Sequence, residues 1–277
     1  MYLITKVINN NFVCSVDENG NELMLRGLGI GFQKKVKDTV SEDKIEKIYR
    51  TANQNTSSKL QELIDEIPPK HLEVSTLIIE YAGNLLSKKL NENLLLTLTD
   101  HINFAIERKY KQLEYKNPLF WEIKSFYPEE FKIGSYALEL IHKELNVTLA
   151  EDEASFIALH IVTAELDSDM GSTVQITELI QALLRIVRAH YDIALDESSI
   201  NYGRFITHLK YFGQRVLKRS MSTHDDATLQ AIIRNRYPKD YECADRIRSY
   251  IKDQYQQTIS DEDMIFLTVH LRSITTN

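Results

Sequence analysis

Cysteine and long apolar runs are both scarce in this sequence, and each scarcity excludes a class of protein. The 277 residues include 2 cysteines. Cys14 and Cys243 are too few and too far apart in sequence for a disulfide framework, so a reducing, cytoplasmic compartment is expected. No apolar stretch approaches the roughly 18 residues that a membrane span needs. The first residues also lack the charged-then-apolar layout of a signal peptide, so we expect no membrane insertion.

Positive charge is in deficit overall, but the deficit is unevenly distributed. The formal net charge is −7, whereas residues 1–55 hold eight Lys and Arg against seven Asp and Glu. Between Arg26 and Lys37 there are four basic residues and no acidic one. A patch of this kind suits contact with a phosphate backbone. The hydrophobic and charged fractions, 43% and 26%, otherwise predict a globular protein of two or three domains.

The first 50 residues predict a small antiparallel β-sheet. Residues 2–8 and Phe12–Val16 are rich in β-branched and aromatic side chains, and three asparagines between them form turn material. Glu22–Arg26 predicts a third strand, reached through an Asn-Gly turn. A sheet of this size has little core of its own. We therefore expect the domain to self-associate as a homodimer.

Glycine is concentrated directly after these strands. Gly27, Gly29 and Gly31 are three of only nine glycines in the chain. Glycine at such density permits unusual backbone conformations or the close approach of a partner.

Residues after a polar linker at 50–58 predict helix throughout. Apolar residues recur at three- and four-residue steps in five segments: 94–106, 156–166, 176–187, 200–217 and 264–274. Pro128 and Pro238 stand where a first helical turn tolerates proline. The predicted fold class is therefore multidomain α+β, with a β-sheet domain followed by all-α bundles.

An internal repeat divides the helical region into two copies. The Tyr-Pro pair at Tyr127 returns at Tyr237, and the segment that ends at His160 returns at His270, both with an offset of 110 residues. A looser match at an offset of 107 pairs His101 with His208. We expect domains at residues 1–55, 59–170 and 172–277, the last two being homologous helical bundles.

Four histidines occupy equivalent places in the two copies. The first copy holds His101 and His160, and the second holds His208 and His270. Any one of them alone could be a hydrogen-bonded histidine at the edge of a core. Their duplication favours a shared chemistry instead. No histidine has another at the three- or four-residue spacing of a helical metal site, so neither a metal nor another cofactor is predicted.

Phosphorylation fits these histidines better than metal binding. Neutral imidazole is a nucleophile near pH 7 and can accept a phosphoryl group. The product carries negative charge that can repel or bind an apposed surface. The sequence has no nucleotide-binding loop and no serine elbow, which favours a receiver of phosphoryl groups over an enzyme.

Several segments taken together resemble bacterial transcriptional antiterminators of the BglG, LicT and SacY type. These are the run Ile-Thr-Lys-Val-Ile-Asn-Asn-Asn from Ile4, the glycine-rich stretch 27–35, Leu-Thr-Asp-His-Ile at His101, Phe-Ile-Ala-Leu-His-Ile at His160, and Phe-Ile-Thr-His-Leu at His208. The likeness covers the whole chain in the right order and at the right length.

The resemblance implies a co-antiterminator domain that binds, as a homodimer, an RNA hairpin in the nascent leader of a sugar-utilisation operon, expected to be for a β-glucoside. Two regulation domains of the phosphotransferase system follow. In the family, the sugar-specific enzyme II permease phosphorylates the first and inhibits the protein, whereas the histidine-containing phosphocarrier protein phosphorylates the second and activates it. Carried over by motif, His101 and His160 would be the inhibitory pair, and His208 and His270 the activating pair.

The resemblance also implies a set of RNA contacts. Carried over by motif, these are Lys6, Asn9, Asn11, Gly27 and Phe32. Lysine neutralises phosphate, asparagine reads base or backbone edges, and phenylalanine stacks on an unpaired base unless it is a core residue. The family usually has Gly-Arg-Gly where this chain has Gly-Leu-Gly from Gly27. Arg26 is the candidate replacement, although neighbouring residues on a strand point to opposite faces.

Two other classes of protein remain open on the residues alone. One is a helical metalloprotein that uses the histidines, and the other is a phosphorelay scaffold that binds only proteins. A DNA-binding activator with the same regulation domains is disfavoured, because no helix-turn-helix pattern precedes residue 58.

Overall fold

Contacts divide the protein into two compact units. The structure, a computed structural model, describes residues 1–17, 20–50, 67–88, 90–113, 115–221 and 226–276. The first unit comprises Met1–Asn117 and Glu129–Asp167, and the second comprises Pro118–Pro128 and Ser168–Asn277. The first joins a β domain to a helical bundle, whereas the second is helical. The predicted linker at 50–58 lies, apart from the backbone of Arg50, outside the described residues.

The β domain contains a four-stranded antiparallel sheet in the order β2-β3-β4-β6 and a two-stranded sheet of β1 and β5. The strands are β1 Tyr2–Leu3, β2 Lys6–Val7, β3 Phe12–Val16, β4 Glu22–Arg26, β5 Thr39–Val40 and β6 Lys47–Arg50. The predicted strand at 2–8 is in fact two strands. It divides at Ile4, whose backbone N–H donates to the Asp38 carbonyl and whose carbonyl accepts from Lys37.

The two faces of this sheet pack against different partners. One face contributes to a core within the β domain, formed by Ile4, Val13, Leu23, Leu25, Ile30 and Val40. On the other side Phe12, Met24 and Tyr49 belong to the same buried cluster as Leu72 and Ile79 of the first helix. Alternation of side chains along a strand produces this division. The helical bundle thus supplies a second layer to a small sheet, while the homodimer stays a prediction.

The first bundle is built from α1 Pro69–Leu86, α2 Leu94–Tyr110, α4 Pro128–Leu145 and α5 Asp152–Glu165. Its core is apolar, with Ile78, Leu98, Ile133 and Ile157 completely buried. Helices α4 and α5 approach so closely at Gly134 that a Cβ there would lie 2.0 Å from the Ala154 carbonyl oxygen. Glycine at this position therefore permits the helix contact.

The second unit contains α3 Phe120–Phe126, α6 Met170–Tyr191, α7 Ile200–Lys218, α8 Ala227–Arg236, α9 Pro238–Tyr255 and α10 Asp261–Thr275. Side-chain caps begin four of these helices: Asp169, Ser199, Asp226 and Ser260 each accept a hydrogen bond from a backbone N–H of the first turn. The five helical segments predicted from periodicity coincide with helices, except that Leu166 lies one residue beyond the end of α5. Pro128 and Pro238 are the first residues of α4 and α9.

Helix α3 precedes the predicted second domain in sequence but belongs to the second unit. The Tyr127 hydroxyl lies 2.9 Å from the Thr177 hydroxyl, and Ser125 Oγ donates to Glu197 at 2.7 Å. The predicted boundary at 170 would group α3 and Tyr127 with the first bundle. Their tertiary contacts, which the order along the chain does not reveal, group them with the second unit.

None of the helices in the described ranges has both the length and the apolar character that crossing a membrane requires.

Candidate functional site

The histidines of the first copy lie side by side. His101 on α2 and His160 on α5 have ring centroids 4.9 Å apart, although 58 residues separate them in sequence. The His101 side chain is 13% exposed, and His160 is half-buried. Packing of α2 against α5 therefore produces one pair from two separate histidines.

A buried ion pair adjoins these rings. Glu153 Oε1 lies 2.8 Å from Arg108 Nη2, and Glu153 Oε2 lies 3.1 Å from His101 Nε2. The Arg108 guanidinium carbon lies over the rings of Phe104 and Tyr115, 4.9 and 4.8 Å from their centroids. The contact to His101 is close enough for electrostatic interaction but lacks hydrogen-bond geometry. One carboxylate thus bridges the arginine and the histidine.

Burial keeps the second ring of this pair neutral. Burial, together with a smaller contribution from the neighbouring His101, lowers the pKa of His160 to about 3. At neutral pH the His160 imidazole therefore retains a nitrogen lone pair, which a nucleophile requires.

The second copy holds an equivalent pair. His208 on α7 and His270 on α10 have ring centroids 4.5 Å apart, and Phe266 contacts both rings. Burial and the nearby Arg215 lower the pKa of His208, and burial and His208 lower the pKa of His270. His208 is the exposed member of the pair. Both rings are thus favoured in the neutral form.

The ion pair is also repeated. Arg215 Nη2 lies 2.7 Å from Asp263 Oδ1. In each copy the arginine follows the first histidine by seven residues and the acid precedes the second by seven, so each shares a helix face with its histidine. The prediction from sequence names the histidines but neither Arg108 and Arg215 nor Glu153 and Asp263. The repeat offsets of 107 and 110 residues relate Arg108 to Arg215 and Glu153 to Asp263, so the repeat could have identified these residues as well.

The two ion pairs differ in what the second carboxylate oxygen contacts. Asp263 Oδ2 accepts a hydrogen bond from Ser260 Oγ at 3.0 Å. The position equivalent to Ser260 in the first copy is Ala150, which offers no hydroxyl. Glu153 is also one methylene longer than Asp263. Its second oxygen therefore faces His101, whereas that of Asp263 is engaged at the start of its own helix.

Most of the predicted RNA contacts lie at one end of the β domain. Asn9 Oδ1 accepts from the backbone N–H groups of Asn11 and Phe12, and Asn11 Oδ1 accepts from Gly29. The asparagines thus join the turn before β3 to the glycine-rich loop after β4. Gly27 lies in that loop as well. Lys6 is on β2, paired with Cys14.

Phe32 is exposed rather than part of the core. Its side chain is 58% exposed in the loop after β4. The alternative reading of Phe32 as a core aromatic is therefore wrong, and its ring is accessible for stacking.

Another segment of the same chain, at Lys44, approaches Gly27 closely. A Cβ on Gly27 would lie 2.0 Å from the Lys44 carbonyl oxygen. Packing within the β domain is thus sufficient to require glycine here, in addition to any role toward a partner.

Two of the predicted RNA contacts are engaged by helix α1. Asn9 Nδ2 donates to Glu73 Oε1 at 3.0 Å, and Arg26 Nη1 donates to Glu80 Oε1. A groove beside them is lined by Asn11, Phe12, Arg26, Gly27, Leu28, Glu46, Glu73, Thr76 and Leu77. Carboxylates of the first bundle therefore occupy part of the surface predicted to meet RNA.

Metal binding finds no support in the part of the chain that the structure describes. There, no group of three or more His, Cys, Asp or Glu residues is arranged to hold a metal ion.

Comparison with known proteins agrees with the resemblance inferred from the sequence. The model of the CAT RNA binding domain matches residues 2–58, and that of the PRD domain matches residues 76–164 and 181–274. The transcription antiterminator LicT of Bacillus subtilis (strain 168) is 43% identical over 271 residues, which cover 98% of each chain. The β-glucoside operon antiterminator of Dickeya chrysanthemi is 39% identical over 271 residues, covering 98% of this chain and 96% of the relative.

A solved structure supports the same assignment. The crystal structure of GlcT CAT-PRDI matches with a TM-score of 0.52 and 34% identity, covering 59% of this chain and 98% of the other. The predicted family and the α+β fold class are thereby confirmed. This chain belongs to the family of transcription antiterminators in which a CAT RNA-binding domain is followed by two PRD domains.

Proposed function

We propose that the β domain binds an RNA hairpin in the leader transcript of a sugar-utilisation operon, and that phosphorylation of the two histidine pairs controls this binding. The observation that carries the control is the pairing of His101 with His160 and of His208 with His270, at 4.9 and 4.5 Å. The match to a CAT RNA-binding domain argues against the protein-only phosphorelay scaffold. The chain acts as a regulator, without catalysis of its own.

The partners follow from the two pairs. The histidine-containing phosphocarrier protein phosphorylates His208 or His270 and activates the protein, whereas the sugar-specific enzyme II permease phosphorylates His101 or His160 and inhibits it. In the transfer from the phosphocarrier, the N–P bond of the donor phosphohistidine breaks as a new N–P bond forms on the acceptor histidine, so the free energy of the phosphoryl group changes little. The 39% identity to a β-glucoside operon antiterminator supports β-glucosides as the sugar class.

The RNA surface consists of Lys6, Asn9, Asn11, Arg26, Gly27 and Phe32. The exposed ring of Phe32 supports stacking on an unpaired base, and the basic residues beside it suit the phosphate backbone. The active species is a homodimer.

Contact with α1 excludes RNA from part of this surface. Glu73 and Glu80 present carboxylates to Asn9 and Arg26, the groups expected to face phosphates and base edges. An anionic helix and an anionic RNA cannot occupy the same donors together. The arrangement in this structure is therefore the one with low RNA affinity, and activation must separate α1 from the β domain.

The phosphorylation step can be tested with the purified phosphocarrier system. We expect radioactive phosphate to label the full chain, and replacement of both His208 and His270 by alanine to remove at least nine-tenths of the label. Neutral, accessible imidazoles at this pair are the physical reason. His142→Ala is the matched control, because His142 is exposed but outside either pair. Undiminished labelling of the double variant would refute the assignment of the second pair.

A further inference from the structure

We propose that the arginine beside each histidine pair, Arg108 in the first bundle and Arg215 in the second, binds the phosphoryl group after a histidine has accepted it. This inference rests on the proposed function, because it concerns the phosphorylated protein.

Arg108 is held as a ligand-binding guanidinium would be. Its guanidinium contacts two aromatic rings, its side chain is 9% exposed, and Nη2 is bound to Glu153. Its Nε–H has no hydrogen-bond acceptor among the described residues, although the atom is buried. A buried donor of this kind is costly unless it gains an acceptor. Guanidinium presents its donors in a fork that suits the oxygens of a phosphoryl group.

The position of Glu153 indicates when the arginine would change partner. Its Oε2 lies 3.1 Å from His101 Nε2. A phosphoryl group on this ring would place about two further negative charges beside the carboxylate. Repulsion of like charges in a buried site is strong, so Glu153 must move away from the histidine. Arg108, bound to the same carboxylate, is a cation that can neutralise the new group.

The second copy has the same arginine and carboxylate, but its carboxylate does not face the histidine. Arg215 is bound to Asp263, but the Arg215 side chain is 37% exposed. The other oxygen of Asp263 is bound to Ser260 rather than directed at His208. The positive charge of Arg215 already acts on the His208 ring, since it contributes to lowering the pKa of His208. A phosphoryl group on this pair therefore meets the arginine without first displacing a carboxylate from the histidine.

A chemical donor tests the proposal in the full chain without a donor protein. In phosphoramidate the imidazole nitrogen displaces ammonia from phosphorus: the donor N–P bond breaks, the histidine N–P bond forms, and ammonia leaves with the ring proton as ammonium. Phosphorus NMR then follows the second ionisation of the phosphohistidine group as the pH is varied. A chain with alanine at His208 and His270 identifies which resonance belongs to the second pair.

Arg215→Gln is the informative variant because Arg215 is not deeply buried. We expect it to raise the titration midpoint of the phosphoryl group on the second pair by about one pH unit or more, since a cation in contact stabilises the dianion. Arg215→Lys keeps the charge, and its titration midpoint should lie between those of wild type and Arg215→Gln. Arg246→Gln removes a cation from an exposed ion pair with Glu242 and should leave the midpoint unchanged.

The possible results separate this inference from the proposed function. Equal midpoints in wild type and Arg215→Gln would overturn phosphoryl binding by the arginine, while leaving the histidines as acceptors. The absence of any resonance that depends on His208 and His270 would overturn the phosphorylation site itself. Circular dichroism of Arg215→Gln and Arg215→Lys checks that the helical fold is retained in both.

Discussion

Replacing Phe32 by alanine should weaken binding of the leader hairpin to the full chain by roughly 5- to 150-fold. Stacking of one base on an aromatic side chain is worth about 1–3 kcal/mol, and 1.4 kcal/mol corresponds to a tenfold change in affinity. The ring is 58% exposed and contributes little to the core, so its removal should not unfold the β domain. Fluorescence anisotropy with a labelled hairpin at fixed salt measures the effect.

The loop around Phe32 supplies its own controls. Phe32→Tyr retains a stacking ring and should bind within a few-fold of wild type. Val36 is another exposed apolar residue of the same stretch that is not among the predicted contacts, and Val36→Ala should leave affinity unchanged. If Phe32→Ala bound the hairpin as tightly as wild type while melting at the same temperature, stacking at this position would be excluded.

Removing both carboxylates of α1 that face the β domain should strengthen RNA binding. In Glu73→Gln with Glu80→Gln, the hydrogen bonds to Asn9 and Arg26 lose their ionic character, and a hydrogen bond to a charged group contributes about 1.5–3 kcal/mol. The contact that covers the RNA surface is weakened, so more molecules expose it. We expect hairpin affinity of the unphosphorylated full chain to rise about tenfold, measured by the same anisotropy titration.

Glu107→Gln is the matched control for this double variant. Glu107 is a half-exposed glutamate on α2 that contacts Asn103 and Lys111 rather than the β domain. Glu107→Gln removes one negative charge from the bundle and leaves the contact between α1 and the β domain unchanged. A rise in hairpin affinity caused by net charge alone would therefore appear in this variant. If the α1 double variant and this control bound RNA equally, competition between α1 and RNA would be refuted.

The helices were largely predictable from the sequence because their signal is local. Apolar residues at three- and four-residue steps placed five helical segments, and Pro128 and Pro238 placed two helix starts. The strands β5 and β6 were less predictable. Two residues of β5 carry almost no pattern, and β6 ends in charged residues whose role depends on pairing with β4.

The histidine pairs were predictable because duplication marks them, but their surroundings were not. The Arg108–Glu153 and Arg215–Asp263 contacts join residues 45 and 48 positions apart. Only the packing of one helix on another brings such residues together. The different engagement of Glu153 and Asp263 depends further on one methylene group and on Ser260 in place of Ala150, which no periodicity reveals.

Contacts between the β domain and the first bundle lay furthest from prediction. Arg26 and Glu80 are 54 residues apart, with residues 51–66 outside the described chain between them. Composition placed a basic patch near Arg26 but could not indicate that a helix of the same protein would supply acids to it. The exposure of Phe32 likewise followed only from the fold of its loop.

The most direct test of the central claim is the affinity of the full chain for its leader hairpin, measured before and after the phosphocarrier protein labels the second histidine pair. We expect phosphorylation to raise the affinity, and alanine at His208 and His270 to abolish the rise. Equal affinity of the labelled and unlabelled protein would contradict control of RNA binding by these histidines.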